Sequence, residues 1–101
     1  MKLAIIGDYE SPTYQELLER AKIIFQGETI IDLSVCKGSW KQKSDARIDL
    51  IGLSHRVIIC KEWDVLTDVK KDITAAQALG KECLIDIGGQ FLPFPEYAKR
   101  W

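Results

Sequence analysis

The chain predicts an α/β fold: an open parallel sheet of four strands, order 2-1-3-4, with helices on both faces. Three observations predict it. Compact apolar runs recur at residues 2–6, 29–33, 57–60 and 82–87. Segments with helical spacing of apolar residues separate them. The loops are short, and βαβαβαβ with short loops implies parallel strands joined by crossovers. Ligands of such sheets sit outside the carboxyl ends of the strands, where the order reverses. Here that point lies between strands 1 and 3.

Size and composition bound the rest. A chain of 101 residues, 47% apolar and 29% charged, is globular and forms one domain, residues 1–101. Net charge is −1 with Lys and Arg scattered, so no basic stripe offers a nucleic-acid footprint. The apolar runs are far too short to span a membrane. Gly7-Asp8 stops the first run after four residues, so a secretory leader is not expected and the expected location is the cytoplasm. Cys36, Cys60 and Cys83 are odd in number and lack a CxxC spacing. With His55 the sole histidine, neither a metal site nor a cofactor is expected.

The elements follow in order. Residues 2–6 read as a strand buried on both faces. Ser11 caps a helix over 12–25, with Pro12 at its first position. Tyr14, Leu17, Leu18 and Ala21 form its inner stripe, and Gly27 closes it. Strand 2 is 29–33. Residues 34–43, with Gly38 and Trp40, read as a loop lying near the crevice; Lys37, Lys41 and Lys43 could attract a phosphate there, though scattered lysines on a loop are usually solvated. Ser44-Asp45 start a second helix that ends near Ser54, with Ile48, Ile51 and Leu53 inward. Strand 3 is 57–60. A third helix, about 68–79, turns Val65, Val69, Ile73 and Ala76 inward and ends at Gly80. Strand 4 is 82–87. Gly88-Gly89 then permits a tight backbone approach to chain or ligand. The aromatic tail, residues 91–101, is expected to pack on the core or on a neighbouring subunit, with a last helical turn at 97–101.

Three loops converge on the crevice. They bring Gly7, Asp8 and Tyr9; Trp63 and Asp64; and Gly88 and Gly89. Trp63 and Tyr9 could stack on a flat ring. The glycines let backbone amides approach a ligand. No GxGxxG or GxxxxGK[ST] phosphate loop is present. Asp72 falls on the edge of the third helix's buried stripe, with Asp68 one turn earlier on the same side. Two acids so placed raise each other's pKa and suit a nucleophile with an acid/base partner. Acids in the first turns of a helix are equally accounted for by the helix dipole.

At Asp72-Ile73-Thr74-Ala75-Ala76-Gln77-Ala78-Leu79-Gly80-Lys81 the chain resembles the nucleoside 2-deoxyribosyltransferase family, whose helix reads E-x-G-x-A-x-x-x-G-K. Asp replaces Glu at the first position and Thr74 replaces the glycine. The resemblance covers the middle third of the chain. It implies a flavodoxin-like fold, a nucleoside or nucleotide ligand, and homo-oligomers whose sites a neighbouring subunit completes. It also implies N-glycosidic cleavage or deoxyribosyl transfer, with Asp72 as nucleophile and Asp64 or Asp68 orienting base or sugar. The alternatives are a catalytically degenerate nucleotide-binding sensor or assembly module, and a structural domain without ligand.

Overall fold

A computed structural model describes residues 1–95. The elements are β1 (Lys2–Ile6), α1 (Pro12–Ile24), β2 (Thr29–Asp32), a 3₁₀ turn (Leu33–Val35), α2 (Trp40–Leu53), β3 (Arg56–Ile59), α3 (Thr67–Ala78), β4 (Glu82–Ile87) and β5 (Gln90–Pro93). The sheet runs β2-β1-β3-β4-β5. The first four strands pair in parallel, in the expected order. The fifth was not expected: β5 returns antiparallel on β4, with Ile87 opposite Gln90. The fold is thus a mixed, mostly parallel five-stranded sheet in a flavodoxin-like arrangement.

The fifth strand explains Gly88-Gly89. Both residues have positive φ, 59° and 89°, as the centre of a tight two-residue hairpin requires. The backbone approaches its own chain there. Pro93 ends β5 at the sheet edge, where a missing N–H costs no ladder bond. The expected turn at 97–101 lies outside the described residues.

Alternation along the strands splits the core in two. Leu3 and Ile5 of β1 face α1, meeting Tyr14, Leu17, Leu18 and Ala21. Ala4 and Ile6 face α2 and α3, meeting Ile51, Val69, Ile73 and Ala76. Phe94, just past β5, is buried in this second layer.

The caps set the helix positions. Ser11 Oγ accepts from Tyr14 N–H at 3.2 Å, with Pro12 at the first turn. Helix α2 begins at Trp40, four residues before the expected Ser44-Asp45. Ser39 and Gln42 form a full capping box there: Ser39 Oγ accepts from Gln42 N–H, and Gln42 Oε1 accepts from Ser39 N–H at 2.8 Å. Two reciprocal bonds satisfy donors that a later start would leave open. Residues 40–43, expected as loop, are therefore helical. Of the residues expected inward, Ile51 is buried, while Leu53 and Val65 are exposed. Helix α3 ends as expected. Gly80 has φ 72°; its N–H donates to Gln77 O, and Lys81 N–H donates to Ala76 O, the paired bonds of a Schellman end.

Candidate functional site

A cavity of about 330 Å³ opens at the carboxyl ends of β1 and β2. That volume is near the lower end of ligand pockets, roughly 300–1,000 Å³. The loop after β1 supplies Asp8, Tyr9 and Glu10 to its wall. Helix α2 supplies Trp40, Lys43 and Arg47, and α3 supplies Asp68. The capping box at Ser39 sets this phase: residues 40, 43 and 47 follow at spacings of three and four, so one face of α2 looks into the cavity.

Beneath the cavity wall is a buried charge cluster. Asp72 is completely buried. Its Oδ2 accepts from Tyr9 OH at 2.7 Å and from Arg47 Nε at 2.7 Å. The Arg47 guanidinium also lies over the Tyr9 ring, 5.0 Å from its centroid. Asp72 Oδ1 is buried and has no hydrogen-bond partner among the described residues. The helices bring these groups together. Arg47 sits one turn before Ile51 on the inner face of α2, and Asp72 lies between Val69 and Ile73 on the inner face of α3.

Burial dominates the electrostatics. It pushes the Asp72 carboxyl above the usual carboxylate range, against the opposing pull of Tyr9 and Arg47. Burial, then the adjacent Asp72, drives the Tyr9 hydroxyl far upward, so Tyr9 stays protonated and donates. Taking two charges out of water costs several kcal/mol per ion, of the order that close pairing must offset.

The mouth carries a second linkage. Trp40 Nε1 donates to Asp68 Oδ1 at 2.9 Å. Lys71 Nζ stands 4.6 Å from the Trp40 ring centroid. These contacts tie the amino ends of α2 and α3 together, yet Trp40 remains 57% exposed.

The structure sorts the sequence-predicted residues. Asp8, Tyr9 and Asp68 line the cavity. Asp72 lies under it, behind Tyr9 and Arg47, and contributes no surface to it. Gly88 and Gly89 line a different cavity of about 470 Å³ on the α1 side, with Arg20, Cys60, Lys61 and Asp86. There Arg20 Nη2 pairs with Asp86 Oδ2 at 2.6 Å, and Gly89 N–H donates to Asp86 Oδ1. Burial pushes the Cys60 thiol up to about 12. Gly7 answers to packing: a Cβ there would lie 2.9 Å from Cys60 Cβ and closer still to its Sγ. Trp63 does not stack at the crevice; it meets Phe94 edge-on, with centroids 5.0 Å apart. Asp64 lines neither cavity. No group of three or more His, Cys, Asp or Glu among the described residues could hold a metal ion. No helix among them is long and apolar enough to cross a membrane.

Of the α2 wall residues, the sequence puts Trp40 and Lys43 only in a loop near the crevice and gives no sign of Arg47. The signal that could have found them is Ser39-x-x-Gln42. It starts the helix early enough to put all three on one face.

No family model matches the chain, and neither does any curated protein. Among solved structures it is similar to a Clostridium botulinum CMP N-glycosidase, BcmB. The TM-score is 0.57 at 17% identity, over 84% of this chain and 67% of that one. At that identity the likeness shows a shared fold.

Proposed function

We propose that the protein binds a nucleoside or nucleotide in the cavity beside Tyr9 and acts on its N-glycosidic bond, with Asp72 as the working carboxylate. The observation that carries the reading is the Tyr9–Asp72–Arg47 cluster under a ligand-sized cavity. The shared fold with a CMP N-glycosidase supports it. Two donors on Oδ2 orient the carboxylate and leave Oδ1 unpartnered among the described residues. In the reaction an Oδ1 lone pair forms a bond to the anomeric carbon. The bond from that carbon to the base nitrogen breaks, its electron pair leaves with the base, and the base takes up a proton. Water then hydrolyses the ester, or a second base takes the sugar. Asp68, which lines the cavity with Asp8 and Glu10, is placed to hold sugar hydroxyls or the base. Tyr9 and Arg47 cover Asp72, so the chemistry requires that they shift when substrate enters.

That same covering favours a second reading: the cavity binds its ligand without cleaving it. Incubation with a panel of nucleosides and nucleoside monophosphates separates the two. Released base is followed by chromatography and binding by calorimetry. Base release that Asp72→Asn abolishes is expected. Binding without release leaves the second reading standing, and neither binding nor release sinks both.

A further inference from the structure

We infer that Trp40 and Leu66 hold the planar ring of the ligand at the cavity mouth, with the Trp40 indole as the surface on which that ring stacks. This rests on the reading of the cavity as a nucleoside or nucleotide site, the ring being the base.

Both residues line the cavity, and both are large apolar side chains left in water, Trp40 57% and Leu66 41% exposed. Trp40 is exposed without being loose. Its Nε1 is held by Asp68, and Lys71 Nζ lies over its ring. Lys71 does not line the cavity, so the indole surface given to the cavity is not the part that the ammonium covers. A ring fixed beforehand loses little freedom when a ligand stacks on it, and every nucleobase has a π-face for such stacking. The other aromatics that the sequence offers for this role are engaged elsewhere. Arg47 lies over the Tyr9 ring, and Tyr14 meets it edge-on with centroids 5.1 Å apart. Trp63 packs on Phe94.

Leu66 supplies an independent observation. It is the N-cap residue of α3, with extended backbone at φ −113° and ψ 138°, and it makes no side-chain cap bond. That position favours Ser, Thr, Asp or Asn, whose side-chain oxygen accepts from the first N–H groups of the helix. Leucine offers no acceptor there and leaves apolar surface in water, so the helix gains nothing from it. Contact with an apolar ligand surface accounts for the residue. Trp40 stands at the start of α2 and Leu66 at the start of α3, and the Trp40–Asp68 bond ties these two ends together. The mouth thus carries apolar surface from both helices, while Asp8, Glu10, Lys43 and Arg47 make much of the remaining wall polar.

The test is titration of the full chain with a panel of nucleosides and their 5′-monophosphates, read by calorimetry and by tryptophan emission. Trp40→Leu should weaken a bound panel member roughly 5- to 150-fold, the range of base–aromatic stacking. Trp40→Phe keeps a ring but cannot bond Asp68, and should recover most of that loss. The ligand should quench wild-type emission, and the quench should persist in Trp63→Phe and vanish in Trp40→Phe. Leu66→Ser should raise the urea midpoint by capping α3 while weakening binding about fivefold. A merely structural role would move both readings in the same direction. Trp40→Leu binding within about twofold of wild type overturns the inference and leaves the proposed function intact. A loss in Trp40→Phe as large as in Trp40→Leu assigns the effect to the Asp68 bond and overturns it as well. Undiminished binding by Leu66→Ser overturns the part given to Leu66. No binding by any panel member overturns the proposed function itself.

Discussion

The Arg47–Asp72 pair gives the sharpest test of how this site is built. The perturbation is Arg47→Met, which keeps most of the arginine stem's apolar packing and removes its charge. The paired side chains are 7% and 1% exposed, with Nε 2.7 Å from Oδ2. Removing one partner of such a pair leaves an uncompensated buried charge and costs about 3–5 kcal/mol. Tyr9 OH remains to satisfy one carboxylate oxygen, which favours the lower end. A domain of this size has about 5–15 kcal/mol in all, so the loss is a large share. The melting temperature should fall by on the order of 15–25 °C, at roughly 4–8 °C per kcal/mol.

The decisive variant is the double one. Replacing both members with apolar residues of similar volume removes the desolvation cost with the attraction, and such exchanges are often neutral or stabilising. Arg47→Met with Asp72→Leu should therefore come within about 1 kcal/mol of wild type. Asp72→Leu alone should cost less than Arg47→Met, because the guanidinium it strands reaches the cavity, where water can enter. Urea unfolding measures all three, with an unchanged m-value confirming that midpoint shifts report stability. A loss under about 1 kcal/mol for Arg47→Met, or a double variant as unstable as the sum of the singles, would refute the reasoning.

Three further outcomes follow from other parts of the fold. Gly7→Ala should lose about 1–3 kcal/mol by overpacking against Cys60, with part of the loss recovered when Cys60→Ala is added; urea midpoints read both. Ser39→Ala removes the capping box at the start of α2 and should cost about 1 kcal/mol; circular dichroism during urea unfolding checks it, and no loss would dissociate the box from stability. Burial holds the Asp72 carboxyl above its ordinary value, so this group's stability contribution is full below the unfolded pKa and is lost as pH rises through the folded one. Wild type should lose ground to Asp72→Asn across that interval in parallel urea titrations; wild type gaining ground would mean that Arg47 outweighs burial.

The β1, α1 and α3 elements were legible because each carries its own local instruction. Leu3–Ile6 is apolar throughout, Ser11-Pro12 sets a helix start, and Gly80 sets a helix end. The fifth strand was harder to see. Gly88-Gly89 reads equally well as a ligand loop or as a turn, and Pro93 argues against strand in any run that is not at an edge. Only pairing with β4 decides between them. Helix α2 was misplaced because its amino-terminal half carries three charged residues and an exposed indole, which look like loop. The cap at Ser39 outweighs that composition.

Arg47 shows where periodicity stops being informative. Apolar spacing sorts residues by hydrophobicity, so it sends every arginine to the surface, and here the arginine is buried. Its partner lies 25 positions away, on a helix brought near only by packing on the sheet. Asp72 had two readings from sequence: a nucleophile at the edge of the stripe, or an acid answering the helix dipole. The dipole acts within the first turn, and Asp72 is the sixth residue of α3. A carboxylate that answered only the dipole would keep its water, because ionised groups are costly to bury. Asp72 has lost its water and gained two donors on a single oxygen, which the dipole does not explain. Stability alone does not require so costly a cluster, since an apolar pair would hold α2 to α3 as well; under the proposed function its place beneath a ligand-sized cavity is what the chemistry would use.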